Sequence, residues 1–485
     1  MSDQMPDHAP LTRPRCLSED NNDPNRMNSV GHKTAAIFAQ EASYLGYRFK
    51  ERTGQVRFDY DVDGWTHSVH SVFHDLPALA PEVWNCCLED LALACLLDLG
   101  TASLARRLTA HRRSPATGVS HWAHPAAKAL RVESLSALHL PLRHLPFDLH
   151  LHGVRTKHKP MARPDKRRVL LLMGGGKDSL FSYELLRAAG FEVECFYMVE
   201  ACRTWQQLRQ TYHALGARTT QHRAFLNANQ MGRIEQHFRR DYLTQFQVGQ
   251  AIFLSIPYAL GRQCRYIAVG AERSANTPTG IYRGTPMNHQ YEKSEDFFIR
   301  LNRYLDRRYD GAVQVFSPLH GLFDLGIYGR LLSRQPELVR LQSSCGGSNA
   351  RRRHCGQCEK CAFVAVLFTA LSDDEPAFRS LFPVNPLDNV ELFDEWYHGR
   401  FGRPRACVGS LSELRVALRL GRARGWRSAI HSFDRGKGDP PGSRELSRYL
   451  SVHATRAIPE EIRRRTSRVL DFDAQALRRV FESSI

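Results

Sequence analysis

The sequence predicts an α/β fold in which a parallel sheet with flanking helices is joined to a smaller α+β domain. Three adjacent observations carry this reading. VLLLM (169–173) is a continuous apolar run, as expected of a strand buried on both faces. The glycine-rich segment GGGKDS (174–179) follows at once, and LFSYELLRAAG (180–190) then places Leu180, Tyr183 and Leu186 on one helical face, with Gly190 where a C-cap belongs. FEVECFYMVE (191–200) reads as a second strand. A strand–loop–helix–strand order needs a crossover, so the two strands run parallel.

The remaining elements follow in order. Residues 1–32 are polar and read as a disordered leader. Residues 33–160 read as an N-terminal α+β domain. Within it, 44–65 holds two short strands about a Thr-Gly turn, with alternation through Val56, Phe58, Tyr60 and Val62. Helical spacing runs over 88–108, at Leu88, Leu91, Cys95, Leu96 and Leu99. The basic, Pro-containing stretch 158–168 reads as a linker. The glycine loop opens a domain over 166–410, which includes a later strand RYIAVG (265–270) leading into AERSAN. Residues 411–485 read as a basic C-terminal extension, interrupted by the Gly/Pro-rich RGKGDPPGS (435–443).

Composition narrows the function classes. In 485 residues, 42% are hydrophobic and 10% aromatic, enough for one or more cores, which excludes a mostly disordered chain. The longest apolar runs, VLLLM and FVAVLF (363–368), fall far short of the ~20 residues of a spanning helix, so no membrane insertion is expected. The N-terminus has no apolar core and four prolines in its first 26 residues, unlike a secretory signal, so a cytoplasmic location is expected. Lys and Arg number 67 against 50 Asp and Glu, giving +17. Such a field attracts anions of any kind. It does not exclude nucleic acid, but no RNA-binding module is recognisable and none is expected as a partner.

Gly174, Gly175 and Gly176 let the backbone approach a phosphate, and the following helix points free N–H groups at it. Ser179 adds a hydroxyl donor, Lys177 either contacts a phosphate or points to solvent, and Asp178 suggests a Mg²⁺ bridge or a role in loop geometry. The loop is not a Walker A motif, because Asp178 follows the lysine. It is not a dinucleotide fingerprint either, because Ser179 stands where a third glycine belongs. Downstream, Cys345, Cys355, Cys358 and Cys361 offer four thiolates at x9, x2 and x2 spacing, the ligand number of a structural zinc knuckle. His354 is an alternative ligand, and Arg351 to Arg353 would favour thiolates.

The loop matches the [ST/G]-G-G-x-D-S pattern of the PP-loop ATP pyrophosphatases, the adenine nucleotide alpha hydrolase-like fold. The resemblance implies cleavage of ATP between its α and β phosphates. Together with the knuckle it resembles the 7-cyano-7-deazaguanine synthases, which lack the ~165 residues that precede the loop here. The ordered series GGGKDS, AERSAN, NHQYEKSEDF (288–297), SC…CGQCEKCAFV (344–364) and RPRACVG (403–409) is similar to the UDP-N-acetylmuramoyl-L-alanyl-L-glutamate epimerases (MurL-like). The likeness covers about 166–410 well and 45–110 loosely. It implies ATP, Mg²⁺ and structural Zn²⁺ as cofactors and a UDP-linked muramoyl dipeptide as substrate. The implied reaction adenylates the α-carboxylate of the terminal L-glutamate, moves the Cα proton and hydrolyses the acyl adenylate to AMP and a D-glutamate terminus. The alternative is a PP-loop enzyme that adenylates another carboxylate or a tRNA or deazapurine substrate.

Side-chain chemistry suggests roles within this frame. Glu272 is a candidate metal ligand or base, and Arg273 can fork onto a carboxylate or phosphate. Ser274 and Asn276 follow in the same loop. His289 is a candidate Cα base, because imidazole titrates near neutrality. Lys293 is a candidate contact for a carboxylate or pyrophosphate, among the polar set Asn288, Gln290, Tyr291 and Ser294. Cys407 is a secondary candidate base.

Overall fold

The computed structural model describes residues 38–112, 118–153, 164–200, 202–216, 218–227, 231–238, 246–343, 345, 353–390, 408–433 and 441–482. The expected leader and Cys407 lie outside the described residues. The strands are β1 (Glu41–Lys50), β2 (Gln55–Val62), β3 (Trp65–Phe73), β4 (Arg107–Arg112), β5 (Asp148–Gly153), β6 (Asp165–Leu172), β7 (Glu192–Val199), β8 (Gln221–Leu226), β9 (Cys264–Ala268), β10 (Gly280–Tyr282), β11 (Thr285–Met287) and β12 (Gln314–Phe316). The main helices are α1 (Pro81–Ala102), α2 (Ser120–Ala137), α3 (Lys177–Ala188), α4 (Cys202–Gly216), α5 (Met231–Phe238), α6 (Gln247–Gly261), α7 (Glu295–Arg308), α8 (Asp324–Arg334), α9 (Pro336–Leu341) and α10 (Glu359–Leu371).

One sheet runs β12-β9-β6-β7-β8-β3-β2-β1-β4-β5, and β10 and β11 form a separate hairpin. Pairing is parallel from β12 through β8, antiparallel across β8, β3, β2 and β1, and parallel again to β4 and β5. The fold is thus mixed α/β with a mostly parallel sheet.

Local sequence explains the N-terminal strands. Val56, Phe58, Tyr60 and Val62 are buried in alternation, which fixes the register of β2. The turn before β2 bends at Gly54 (φ +66°), where a Cβ would lie 2.2 Å from the Phe73 carbonyl oxygen. Beyond the two expected strands lies a third. β3 pairs with β8 through Ser71, Val72 and Phe73. This seam makes the N-terminal strands and those after residue 165 one continuous sheet, within a single compact unit from Ala36. The expected boundary at 160–166 falls between β5 and β6 of that sheet.

The helix expected over 88–108 spans 81–102 and stops at Ser103, after which the chain enters β4. α1 is buried on nearly every face from Trp84 onward, so its acidic residues need internal partners. Asp90 accepts hydrogen bonds from the hydroxyls of Tyr304 (2.5 Å) and Tyr309 (2.8 Å), and Arg308 lies 3.4 Å from both Glu89 and Asp90. One core packs α1, α2, α6 and α7 on one face of the sheet. The other packs α3, α8, α10 and the C-terminal helices on the opposite face.

The C-terminal helices Ser443–Leu450 and Glu460–Glu482 are part of this second core, with Leu446, Tyr449, Ile462 and Leu470 buried. The segment between them is fastened to the body at three points. His453 N–H donates to the Gly321 carbonyl (2.8 Å), Arg273 donates to the Ala454 carbonyl (3.3 Å) and Arg456 N–H donates to Glu295 (3.3 Å). No helix among the described residues is long and apolar enough to cross a membrane.

Candidate active site

In an open parallel sheet, ligands bind beyond the carboxyl ends of the strands, where successive connections leave in opposite directions. Here β6 leads through α3 to β7 on one side, while β9 flanks β6 on the other. A cavity of about 570 Å³ opens at this point. Its floor is the glycine loop with Lys177, Asp178 and Ser179, and its walls include Met198, Glu200, Gln247, Gly270, Lys293 and Lys360.

The loop is held from two sides. Gly175 (φ +72°) accepts a hydrogen bond from Ser343 N–H (2.8 Å) through its carbonyl. A Cβ on Gly270, at the end of β9, would lie 2.8 Å from the Asp178 carbonyl carbon and 2.9 Å from Ser179 N. Only a glycine lets β9 approach so closely. Ser179 Oγ donates to the Gly176 carbonyl at the first turn of α3 (3.0 Å), where the helix N–H groups are free to meet an anion.

Beneath the loop is a buried charge cluster. Lys177 Nζ lies 2.6 Å from Asp178 and 2.5 Å from Asp324, the first residue of α8. Burial acts to lower the pKa of Lys177, but Asp178, Asp324 and Glu272 outweigh it and hold the ammonium form. Ser274 Oγ donates to Glu272 (3.3 Å) and sits 3.5 Å from Asp324. Glu413, from the helix Leu411–Ala423, accepts a hydrogen bond from Leu325 N–H (2.7 Å) and is fully buried. Four carboxylates therefore share this space with Lys177 and Lys293. Burial resists ionisation of Glu272, yet Lys293 and Lys177 keep it below the usual carboxylate range. Burial and neighbouring carboxylates push Asp324 up to about 7 and raise Glu413 well above its ordinary value. The cluster thus holds Glu272 ionised while burial favours the protonated form of Glu413.

The NHQYEKS segment divides between the cavity and its support. Lys293 lines the cavity, and its carbonyl lies 2.7 Å from His320 Nε2. His320 is buried, and burial lowers its pKa, so the neutral ring is favoured. His289 does not line the cavity; its Nδ1 pairs with Glu133 on α2 at 2.5 Å. Asn288 donates to the Ala275 carbonyl (2.9 Å), its side-chain oxygen accepts from Gln290 N–H, and Tyr291 donates to Asp296 (2.6 Å). Ser294 caps α7 by accepting from Phe297 N–H (3.2 Å), and Asn276 accepts from Glu295 N–H (2.7 Å). Arg273 is turned toward the C-terminal segment. The sequence alone does not single out Asp324, Glu413, His320 or Glu200. Asp324 and Glu413 each look like an ordinary acidic residue in the first turn of a helix, and only the packing brings them together.

The four cysteines converge. Their sulfurs lie within 4.8 Å of one another, and those of Cys355 and Cys361 are 3.7 Å apart. Tetrahedral zinc at ~2.3 Å from each sulfur sets a sulfur–sulfur separation of about 3.8 Å. Cys355 N–H donates to Cys345 (3.3 Å) and Gln357 N–H to Cys355 (3.4 Å), the backbone support a thiolate cluster needs. Gly356 (φ +73°) makes the knuckle turn, and a Cβ there would meet the Val384 carbonyl oxygen at 2.2 Å. His354 Nδ1 stands 3.9 Å from Cys361 and its ring packs on Phe382. Arg353 donates to the Leu341 carbonyl, while Arg351 and Arg352 lie outside the described residues. Cys345 lines the cavity two residues after Ser343, and α10 starts directly after Cys358, so the cluster positions both the loop brace and Lys360.

Comparison with known proteins identifies the family. A family model described as the MurL N-terminal domain matches residues 138–318, and one described as the MurL C-terminal domain matches residues 343–432. A UDP-N-acetyl-alpha-D-muramoyl-L-alanyl-L-glutamate epimerase of Salinispora tropica is 27% identical over 409 residues, 80% of this chain and 86% of the relative. Proteins of the same name from Xanthomonas oryzae pv. oryzae and a Micromonospora species are 28% and 29% identical. They match 51% and 52% of this chain, and the matches span 55% and 56% of their own lengths. The matched domains contain the glycine loop, Glu272, Lys293, the four cysteines and Glu413, and the chain belongs to the MurL family.

Proposed function

We propose that this chain epimerises the terminal L-glutamate of UDP-N-acetylmuramoyl-L-alanyl-L-glutamate through an acyl adenylate, with ATP cleaved to AMP and pyrophosphate. The observation that carries this reading is a glycine loop at the start of α3, lining a cavity and set on a buried lysine–carboxylate cluster, in a chain of the MurL family. The loop and cluster fit a PP-loop site. Gly174, Gly175, Gly176 and Ser179 offer N–H and hydroxyl donors to the ATP phosphates, and Lys293 and Lys360 add positive charge at the walls.

The chemical logic explains why ATP is needed. A carboxylate holds its Cα proton tightly, because the carbanion would form beside a negative charge. A mixed anhydride with AMP removes that charge, and the carbanion becomes an enolate that hydrogen-bond donors and cations can stabilise.

Oxygen donors suit Mg²⁺. The cluster fits such an ion, because one carboxylate oxygen of Glu272, which is held ionised, is buried without a hydrogen-bond partner among the described residues. Asp178 and Glu272 would hold it, and it would neutralise charge on the departing pyrophosphate. The four sulfurs fit Zn²⁺ in a closed site with no open position, which makes its role structural.

The test is one incubation of the purified chain with ATP, Mg²⁺ and the UDP-linked dipeptide. D-Glutamate after acid hydrolysis, formed together with AMP and pyrophosphate, is the expected result. Absence of turnover, or D-glutamate without AMP, would overturn the proposal.

A further inference from the structure

We propose that Glu200 is the base that removes the Cα proton of the activated glutamyl residue. The inference rests on the function proposed above. Two carboxyl side chains and one cysteine face the cavity beside its lysines, among the described residues. Asp178 is ion-paired to Lys177, and Cys345 belongs to the sulfur cluster. Glu272, Asp324 and Glu413 lie beneath the loop and are not among the lining residues. His289 is outside the lining and bonded to Glu133. Glu200 is the one remaining acidic side chain on the cavity wall among the described residues, and no cation there pairs with it.

Its placement suits a base. It directly follows β7, at the carboxyl edge of the sheet beside β6, so it shares the ligand crevice with the loop. Gln247, at the start of α6, donates through its side-chain amide to one Glu200 oxygen and holds the carboxylate in place. Burial raises the pKa of Glu200, the Gln247 hydrogen bond opposing it, which moves its basicity toward that of a useful proton acceptor. The side chains of Met198, Val248 and Ala251 add apolar surface to the same cavity.

The Cα–H bond breaks and its proton goes to a Glu200 oxygen. The bonding pair forms the Cα–C double bond, and the carbonyl π pair moves to oxygen. Water protonates the enolate on the opposite face, and the Glu200 proton returns to the hydroxide so formed.

The experiment uses the full chain in D₂O with ATP, Mg²⁺ and the UDP-linked dipeptide. Adenylation is read by pyrophosphate–ATP exchange, and proton transfer by deuterium at the glutamate Cα. Wild type should show both. Glu200→Gln should keep exchange within a few-fold and lose Cα deuteration and D-glutamate by about 10²–10⁴-fold, the usual contribution of a general base. Glu200→Asp should recover part of the loss. Wild-type deuteration in Glu200→Gln would overturn the assignment. So would a parallel loss of exchange, which would make Glu200 a nucleotide contact. If wild type itself shows no exchange with this substrate, the function proposal fails first and takes this inference with it.

Discussion

Replacing Gly270 by alanine tests whether the glycine loop is positioned by its contact with β9. The added methyl carbon would start 2.8 Å from the Asp178 carbonyl carbon, 2.9 Å from Ser179 N and 3.0 Å from Asp178 Cβ. Ordinary contact begins near 3.4 Å, so the loop or the strand must give by roughly half an ångström. Two of the three atoms are backbone, so no side-chain rotation relieves the clash. Overpacking of this kind typically destabilises by about 1–3 kcal/mol. The displaced atoms belong to the loop proposed to orient the ATP phosphates, where a shift of about 1 Å can cost ~10²-fold in rate. A half-ångström shift should therefore reduce pyrophosphate–ATP exchange by about ten- to a hundred-fold, with a small drop in melting temperature. Gly442→Ala is the control, because a Cβ there meets nothing within 4 Å. Wild-type exchange and melting in Gly270→Ala would refute the close-approach argument.

Three other outcomes are expected. Purified protein should carry about one zinc per chain by elemental analysis, and Cys361→Ser should lose it and weaken ATP binding, because the cluster braces the loop through Cys345 and Ser343; full zinc-free activity would count against the site. Asp324 has its pKa raised to about 7 by burial, so the folded state binds its proton more tightly than the unfolded chain; its contribution to stability is complete below about pH 4 and disappears as pH rises through 7. Melting temperatures should accordingly fall between pH 5.5 and 8, less steeply in Asp324→Asn, and an identical slope in the variant would contradict this. Gly321→Ala places a Cβ 2.6 Å from the His453 carbonyl oxygen, so the C-terminal segment should loosen and residues 441–482 should exchange amide hydrogen faster, at a stability loss of about 1–3 kcal/mol; unchanged exchange would show that the segment accommodates the methyl.

The sequence determined what local chemistry can encode. Apolar run, glycines and amphipathic helix fixed β6, the loop and α3, because each depends on neighbours within a few residues. Cysteine spacing located the sulfur cluster for the same reason. The NHQYEKS motif marked a segment whose side chains mostly cap, brace or bond its own neighbourhood, with Lys293 reaching the cavity. Only tertiary structure decided the rest. β3 meets β8 across some 150 residues of chain, and that pairing merges two expected domains into one sheet. Asp324 and Glu413 lie 89 residues apart in sequence and look like ordinary helix-start acids until packing buries them around Lys177. Glu200 ends a strand with nothing in its sequence to distinguish it, and it becomes a candidate base because its neighbours on other elements enclose it. Burial and long-range pairing set the energies of these groups, and neither is a property of the residue or its neighbours in the chain.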